Sequence, residues 1–166
     1  MRAGIALGSN LGDRLRNLQR ARDQVCALEG VVGPILQSAI YEAAPVDCEA
    51  GAANFYNAVL EIGFEKSADV LLHALQGIEQ SLGRRRVHAH NISRTLDLDL
   101  LYFGEERRTG DDLQLPHPRM SRREFVLRPL ADIVPHLRLP GEATNVGELL
   151  ARVHSSGSLK WLTKTW

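Results

Sequence analysis

The chain has 166 residues, 44% of them apolar, which suits one domain that can build its own core without disulfide staples. Its 20 basic and 20 acidic side chains cancel to a formal net charge of zero, so no overall field draws it to nucleic acid or to an anionic membrane. Basic charge is clustered all the same, in Arg84-Arg85-Arg86 and in Arg119, Arg122 and Arg123, which fits a small anionic ligand better than a long polyanion.

The run Ile5-Ala6-Leu7, closed by Gly8-Ser9-Asn10, reads as a first strand leading into a helix, and is too short for a signal peptide. Leu11, Leu15, Leu18, Val25 and Leu28 then share one helical face, and Gly30 ends the helix. Residues 31–41 read as a strand kinked at Gly33-Pro34, and 43–53 as a loop of small and acidic residues around Pro45, long enough for a functional lid. Residues 55–64 read as a strand with Phe55, Asn57, Val59 and Glu61 on one face and Tyr56, Ala58, Leu60 and Ile62 on the other. Ser67 suits the N-cap of a helix that buries Leu71, Ala74, Leu75, Ile78 and Leu82 and stops at Gly83. A polar loop rich in Arg and His covers 84–93. The strongest strand signal runs from Leu96 to Phe103 and ends at Gly104. A turn is expected over 105–112, extended chain over Leu115-Pro116-His117-Pro118, a short helix near Met120, irregular or helical structure over 129–139 and a last helix over 146–153.

The core order of strand, helix, strand, strand, helix, strand predicts a ferredoxin-like α+β sandwich, a mainly antiparallel sheet with helices on one face. Neither an internal repeat nor a low-complexity linker divides the chain, so 1–166 is expected to be a single domain. Cys26 and Cys48 have neither CxxC nor metal-ligand spacing and read as reduced thiols in a cytoplasmic setting. No apolar stretch has the length of a membrane span.

The segment Arg94-Thr95-Leu96-Asp97-Leu98-Asp99 carries the most chemistry. Residues two apart on a strand face the same side, so Asp97 and Asp99 point together while Leu96, Leu98 and Leu100 enter the other layer. Two carboxylates ~5 Å apart repel by roughly 3 kcal/mol at an effective dielectric near 20. A divalent metal relieves that repulsion, and a solvated strand face is the plain alternative. Arg84, Arg85, Arg86 and Arg94 precede the pair, and metal with Arg is what a polyphosphate requires. His117 lies between two prolines with Arg119, Arg122 and Arg123 behind it, and reads as a phosphate donor or a turn histidine. His88 and His90 have no third ligand near them in sequence. Gly8-Ser9-Asn10-Leu11-Gly12 matches neither a P-loop nor a dinucleotide fingerprint. Taken alone, Phe55 and Phe125 read as core. Two other classes stay open on these residues: a two-metal nucleotidyl transferase, and a ferredoxin-like module that binds RNA or a regulatory ligand.

From the Arg-Thr-Leu-Asp-Leu-Asp run outward, the chain closely resembles the 6-hydroxymethyl-7,8-dihydropterin pyrophosphokinases of folate biosynthesis. The resemblance covers nearly the whole chain: Gly8-Ser9-Asn10, 38–45, Asn57-Ala58, 76–79 with Gly83-Arg84, Pro116-His117 through Arg123, Phe125 and Pro129-Leu130. It implies a ferredoxin-like fold, transfer of pyrophosphate from ATP to the pterin hydroxymethyl oxygen with release of AMP, and two Mg²⁺ ions on Asp97 and Asp99. It implies Arg84, Arg94, Asp97 and Asp99 as the catalytic set and Gln76, Glu79, Arg84, Arg86, Arg94, His117 and Arg123 around ATP. The pterin would meet Ala43, Ala44, Val46, Phe55, Asn57, Asp97 and Phe125, with the two aromatic rings on either side of it. Asn91 and Pro118 stand where some relatives carry Trp and Tyr. The implied partners are these small molecules, not nucleic acid or membrane, and the implied state is a monomer, with a homodimer as the alternative.

Overall fold

The computed structural model describes residues 1–45, 51–82, 95–153 and 159–166. In chain order its elements are β1 (Arg2–Ser9), α1 (Arg14–Cys26), β2 (Val31–Gln37), β3 (Ile40–Ala43), β4 (Phe55–Phe64), α2 (Ala68–Ser81) and β5 (Asp97–Phe103). There follow the short strands β6 (Arg108–Thr109) and β7 (Gln114–Leu115), a 3-10 turn (Met120–Arg122), α3 (Glu124–Ile133), α4 (Val146–Arg152) and β8 (Lys160–Thr163). The main sheet has the order β5-β1-β4-β3-β8, with β2 also on β4, and its pairs are antiparallel. This is the ferredoxin-like order that the sequence predicts, with β8 added at one edge.

Two capped helices cover one face. The Asp13 carboxylate accepts the Arg16 N–H at 3.0 Å at the start of α1, and Ser67 Oγ accepts the Val70 N–H at 3.4 Å at the start of α2. Leu18, Ala21 and Val25 of α1 and Leu71, Leu75 and Ile78 of α2 pack on Ile5, Leu7, Leu60, Leu98 and Leu100. Leu11 and Leu15 do not join this stripe and are 42% and 37% exposed. Leu11 precedes the first turn of α1, and the apolar stripe runs instead through Ala21.

The opposite face is covered as well, which corrects the expectation of helices on one side. Val126, Leu127 and Leu130 of α3 and Val146 of α4 pack on Val59, Leu101 and Tyr102. Strand β4 is therefore a central strand buried from both sides, with Val59 and Leu60 both fully buried. Helix α3 begins at Glu124 and carries Pro129 inside it, where a proline suggests a helix boundary from sequence alone. Burial of Val126, Leu127, Pro129 and Leu130 together outweighs the hydrogen bond that the proline forgoes.

Three strand details depart from simple alternation. The expected strand over 31–41 is two strands, because the ladder breaks at Ser38, where Oγ takes the place of a backbone carbonyl and accepts the Val59 N–H at 2.9 Å. The kink at Gly33-Pro34 lies inside β2 as expected, in a register shift between Val32 and Leu36. A bulge in β5 sets Ile5 against Leu100 but Gly4 against Tyr102, so Leu101 and Tyr102 both face α3 and α4. The expected turn over 105–112 contains β6, which pairs with β7. Strand β8, absent from the sequence-based expectations, pairs with β3, and Trp166 beyond it is buried with its indole N–H on the Ser38 carbonyl at 2.8 Å.

Candidate active site

Gly8 near the end of β1 lies between Asn57 of β4 and Asp97 of β5, and directly opposed residues of an antiparallel pair face the same side. A Cβ placed on Gly8 would stand 3.7 Å from Asn57 Oδ1, 3.8 Å from Asp97 Cβ and 3.8 Å from Phe55 Cδ1. Three of the side chains expected to meet the pterin thus converge on a gap that only the missing side chain of Gly8 keeps open. One row below, Ala6 lies between Val59 and Asp99, so the carboxylates of Asp97 and Asp99 share the face covered by α3. Phe125 stands on the first turn of α3, half-buried against the apolar cluster of that face.

The two carboxylates sit in an electrostatically loaded corner. Burial pushes the Asp99 carboxyl above its ordinary pKa, and the neighbouring charge of Asp97 adds to this; His117, Arg123 and Arg119 pull it back. His117 Nε2 is 3.9 Å from Asp99 Oδ2, beyond hydrogen-bond reach but within strong Coulomb range. The Arg119 N–H donates to His117 Nδ1 at 3.2 Å, which leaves the ring proton on Nε2, the nitrogen that faces the carboxylate. Burial lowers the His117 pKa below its ordinary value; the Asp99 charge opposes this, and Arg123 and Arg119 add to it. Arg123 is the N-cap residue of α3, and its guanidinium lies 5.5 Å from the centre of the Phe125 ring. Arg119 belongs to the basic cluster visible in the sequence, but its place beside Asp99 follows from the fold.

The donor set fits Mg²⁺. Asp97 and Asp99 are half-buried carboxylates on one face, the hard-oxygen donor type that Mg²⁺ takes. Among the described residues no group of three or more His, Cys, Asp or Glu forms a closed metal cage. A two-carboxylate set is what Mg²⁺ tolerates when waters and substrate phosphates complete its octahedron.

The surroundings hold this strand in register. Ser9 is fully buried, its hydroxyl donates to the Thr95 carbonyl at 2.6 Å, and Asn17 of α1 donates to the same carbonyl at 3.1 Å. Asn10 is also buried and donates to the Ala53 carbonyl at 3.4 Å. The Gly8-Ser9-Asn10 turn is thus an organiser of the site: a gap, a tether to the start of β5, and a tether to the chain before β4. Glu79 of α2 is 4% exposed, and its Oε1 accepts the Leu98 N–H at 2.8 Å, the amide between the two aspartates. Glu79→Ala is expected to cost about 2 kcal/mol by stranding that buried amide, and Glu79→Gln, which keeps an acceptor, much less. Melting the two variants side by side checks this.

Of the other expected ligands, Ala43 ends β3 opposite Phe55, and Ala44 beyond it is exposed. Gln76 is exposed on α2, one turn before Glu79, across the sheet from the aspartate face. Val46, Arg84, Arg86, Asn91 and Arg94 lie outside the described residues, as do Gly83, His88, His90 and Cys48. Beside His117 a cleft of about 370 Å³ opens between Gln114, His117 and Pro118 on one side and Pro140 and Glu142 on the other.

The family described as 7,8-dihydro-6-hydroxymethylpterin-pyrophosphokinase (HPPK) matches residues 4–135. The chain is 44% identical over 133 residues to the 2-amino-4-hydroxy-6-hydroxymethyldihydropteridine pyrophosphokinase of Bacillus subtilis, covering 79% of this chain and 77% of that protein. It is 39% identical over 150 residues to the Pseudomonas aeruginosa protein of the same name, covering 90% of each. It is 34% identical over 149 residues to the folic acid synthesis protein fol1 of Pneumocystis carinii, where it spans 90% of this chain but only 20% of that longer protein. Among solved structures, a Plasmodium falciparum HPPK-DHPS crystal structure superposes with a TM-score of 0.67 at 13% identity, over 91% of this chain and 43% of that one, and supports the fold. The chain belongs to the 7,8-dihydro-6-hydroxymethylpterin-pyrophosphokinase family.

Proposed function

We propose that the pyrophosphokinase reaction of this chain runs over the row Asp97–Gly8–Asn57, with Phe55 and Phe125 on either side of the pterin and two Mg²⁺ ions held by Asp97 and Asp99. The substrates are ATP and 6-hydroxymethyl-7,8-dihydropterin. The hydroxymethyl oxygen attacks the β-phosphorus of ATP and gives up its proton to water, the bond from that phosphorus to the α,β-bridging oxygen breaks, and AMP leaves with the bonding electrons. The observation that carries this reading is the convergence of Phe55, Asn57 and Asp97 on the Gly8 gap, with Asp99 one row below.

Each side chain has a part that its chemistry suits. The Asn57 amide offers both a donor and an acceptor, the pair that a fused heterocycle with amide and amine edges requires. Gly8 leaves the space for the ring. Bound Mg²⁺ supplies charge neutralisation on the triphosphate and a lower pKa for the attacking alcohol. His117, whose Nδ1 accepts the Arg119 N–H, is left with Nε2 to donate to a phosphate oxygen. Arg123 places a permanent positive charge on the same side, and Arg84, Arg86 and Arg94 are assigned to the phosphates through the family pattern. Holding alcohol and phosphorus in line over fixed charges accounts for catalysis without a dedicated general base.

Product analysis with Mg²⁺, ATP and the pterin tests the proposal. AMP is expected only when the pterin is present, together with a pyrophosphorylated pterin, and EDTA is expected to reduce turnover to background. AMP formation that ignores the pterin, or ADP in its place, would overturn the reading.

A further inference from the structure

Tyr41 stands beside Asn57 in the same row and on the same face of the sheet. Its side chain is 5% exposed, and its hydroxyl donates to Asp132, at 2.9 Å from Oδ2 and 3.1 Å from Oδ1. The same hydroxyl accepts from Arg128 Nε at 3.3 Å, and the Arg128 guanidinium lies 5.9 Å from the centre of the ring. Arg128 and Asp132 also face each other at 3.7 Å, one turn apart on α3. Burial raises the Tyr41 pKa, Arg128 opposing and Asp132 adding to the rise, so the phenol remains a neutral donor at physiological pH.

Phe125, Arg128 and Asp132 are spaced i, i+3 and i+7, which places them on one stripe of the helix. Val126, Leu127 and Leu130 attach α3 to the sheet through apolar packing, which is strong but not directional. A hydrogen bond to a fixed phenol is directional, and it acts on the stripe that carries Phe125. We infer that Tyr41 is a positioning residue for pterin binding: by holding Arg128 and Asp132 it sets the rotation of α3 and so the gap between the rings of Phe125 and Phe55. This rests on the reading of those two rings as the walls of the pterin slot. Tyr41 lies outside the expected pterin contacts and acts through the helix.

Steady-state kinetics on the full chain test it. Tyr41→Phe keeps the ring and removes the hydroxyl. It is expected to raise the KM for pterin about fivefold and to leave kcat and the KM for ATP within about twofold. Asp132→Ala is expected to match it, and Asp132→Asn, which keeps an acceptor for the phenol, to restore the wild-type KM. Phe125→Ala supplies the independent arm. It raises the KM for pterin on the slot reading, and adding Tyr41→Phe to it then has no further effect, because the ring being positioned is gone. If Phe125→Ala raises the KM but Tyr41→Phe does not, or if the two effects multiply, the positioning role is wrong and the slot stands. A Tyr41→Phe protein in which both KM values rise together is likewise only loosened and overturns the inference. If Phe125→Ala leaves the KM for pterin unchanged, the slot reading fails and this inference falls with it.

Discussion

Asp99→Asn is expected to lower kcat by roughly a thousandfold, about 4 kcal/mol of transition-state stabilisation, while raising the melting temperature of the metal-free protein by about 3 °C. The two effects share one cause. Asp97 and Asp99 lie on the same face of β5, and burial together with the Asp97 charge pushes the Asp99 pKa up. A raised carboxylate pKa means that the folded protein favours the protonated form. The cost of the Asp99 charge is therefore absent in acid and grows as pH rises from the ordinary carboxylate range through the raised value. Coulomb's law gives roughly 3 kcal/mol for such a pair at ~5 Å and an effective dielectric near 20. Partial exposure screens that figure, and His117, Arg119 and Arg123 offset part of it, leaving about 1 kcal/mol for the amide to recover. At millimolar Mg²⁺ the order is expected to reverse, because metal that binds the folded wild type stabilises it and the Asn variant lacks the ligand. Calorimetric melting with and without Mg²⁺, beside an AMP-release assay, checks both halves. An Asp99→Asn protein that keeps wild-type turnover would remove the ligand role, and one that melts lower than wild type without metal would remove the repulsion.

The shared faces of the candidate site are legible in the sequence, for a simple reason. Asp97 and Asp99 alternate with Leu96, Leu98 and Leu100, so the period of two assigns them one face, and Phe55 and Asn57 stand two apart on another expected strand. Two parallel statements about faces thus needed only the sheet order to be joined, and the order β5-β1-β4 places Gly8 between them. What was not legible needed contacts between distant segments. The covering of the second face depends on α3, whose internal Pro129 reads as a boundary; only its burial against Val59 and Leu101 makes a helix there worthwhile. The bulge at Leu101 and Tyr102 leaves no mark in a run of apolar residues, since either face would accept them. The resemblance places Glu79 near ATP, and its use as an acceptor for the Leu98 amide becomes visible only when α2 meets β5. Tyr41 similarly needs Asp132, ninety-one residues away, before its hydroxyl has a purpose.

The same substitution at two glycines of β1 is expected to separate stability from recognition. Gly4→Ala is the severe case for folding. A Cβ there would stand 2.2 Å from Tyr102 Cε1, so the ring must move. Tyr102 is almost fully buried, and its hydroxyl donates to Glu61 Oε1 at 2.8 Å, while the other Glu61 oxygen pairs with Arg2 at 2.6 Å. Overpacking of this kind costs about 1–3 kcal/mol, and weakening a hydrogen bond to a buried carboxylate adds about 1–2 kcal/mol. The sum, about 3 kcal/mol, predicts a melting temperature lower by about 9 °C. The KM values are expected to stay near wild type below the transition, because Gly4 lies at the far end of the strand from Gly8. Gly8→Ala reverses the pattern. Its Cβ meets Asn57, Asp97 and Phe55 at ordinary contact distances of 3.7 to 3.8 Å, so the fold accepts the methyl without strain and melts near the wild-type temperature. The methyl instead takes the space proposed for the pterin, and a rise of about thirtyfold in its KM is expected, equivalent to about 2 kcal/mol of lost contact and steric clash. The KM for ATP is expected to be unaffected. A Gly8→Ala protein that binds pterin as tightly as wild type would place the ring elsewhere on the sheet, and a Gly4→Ala protein of unchanged stability would mean that Tyr102 has room to yield.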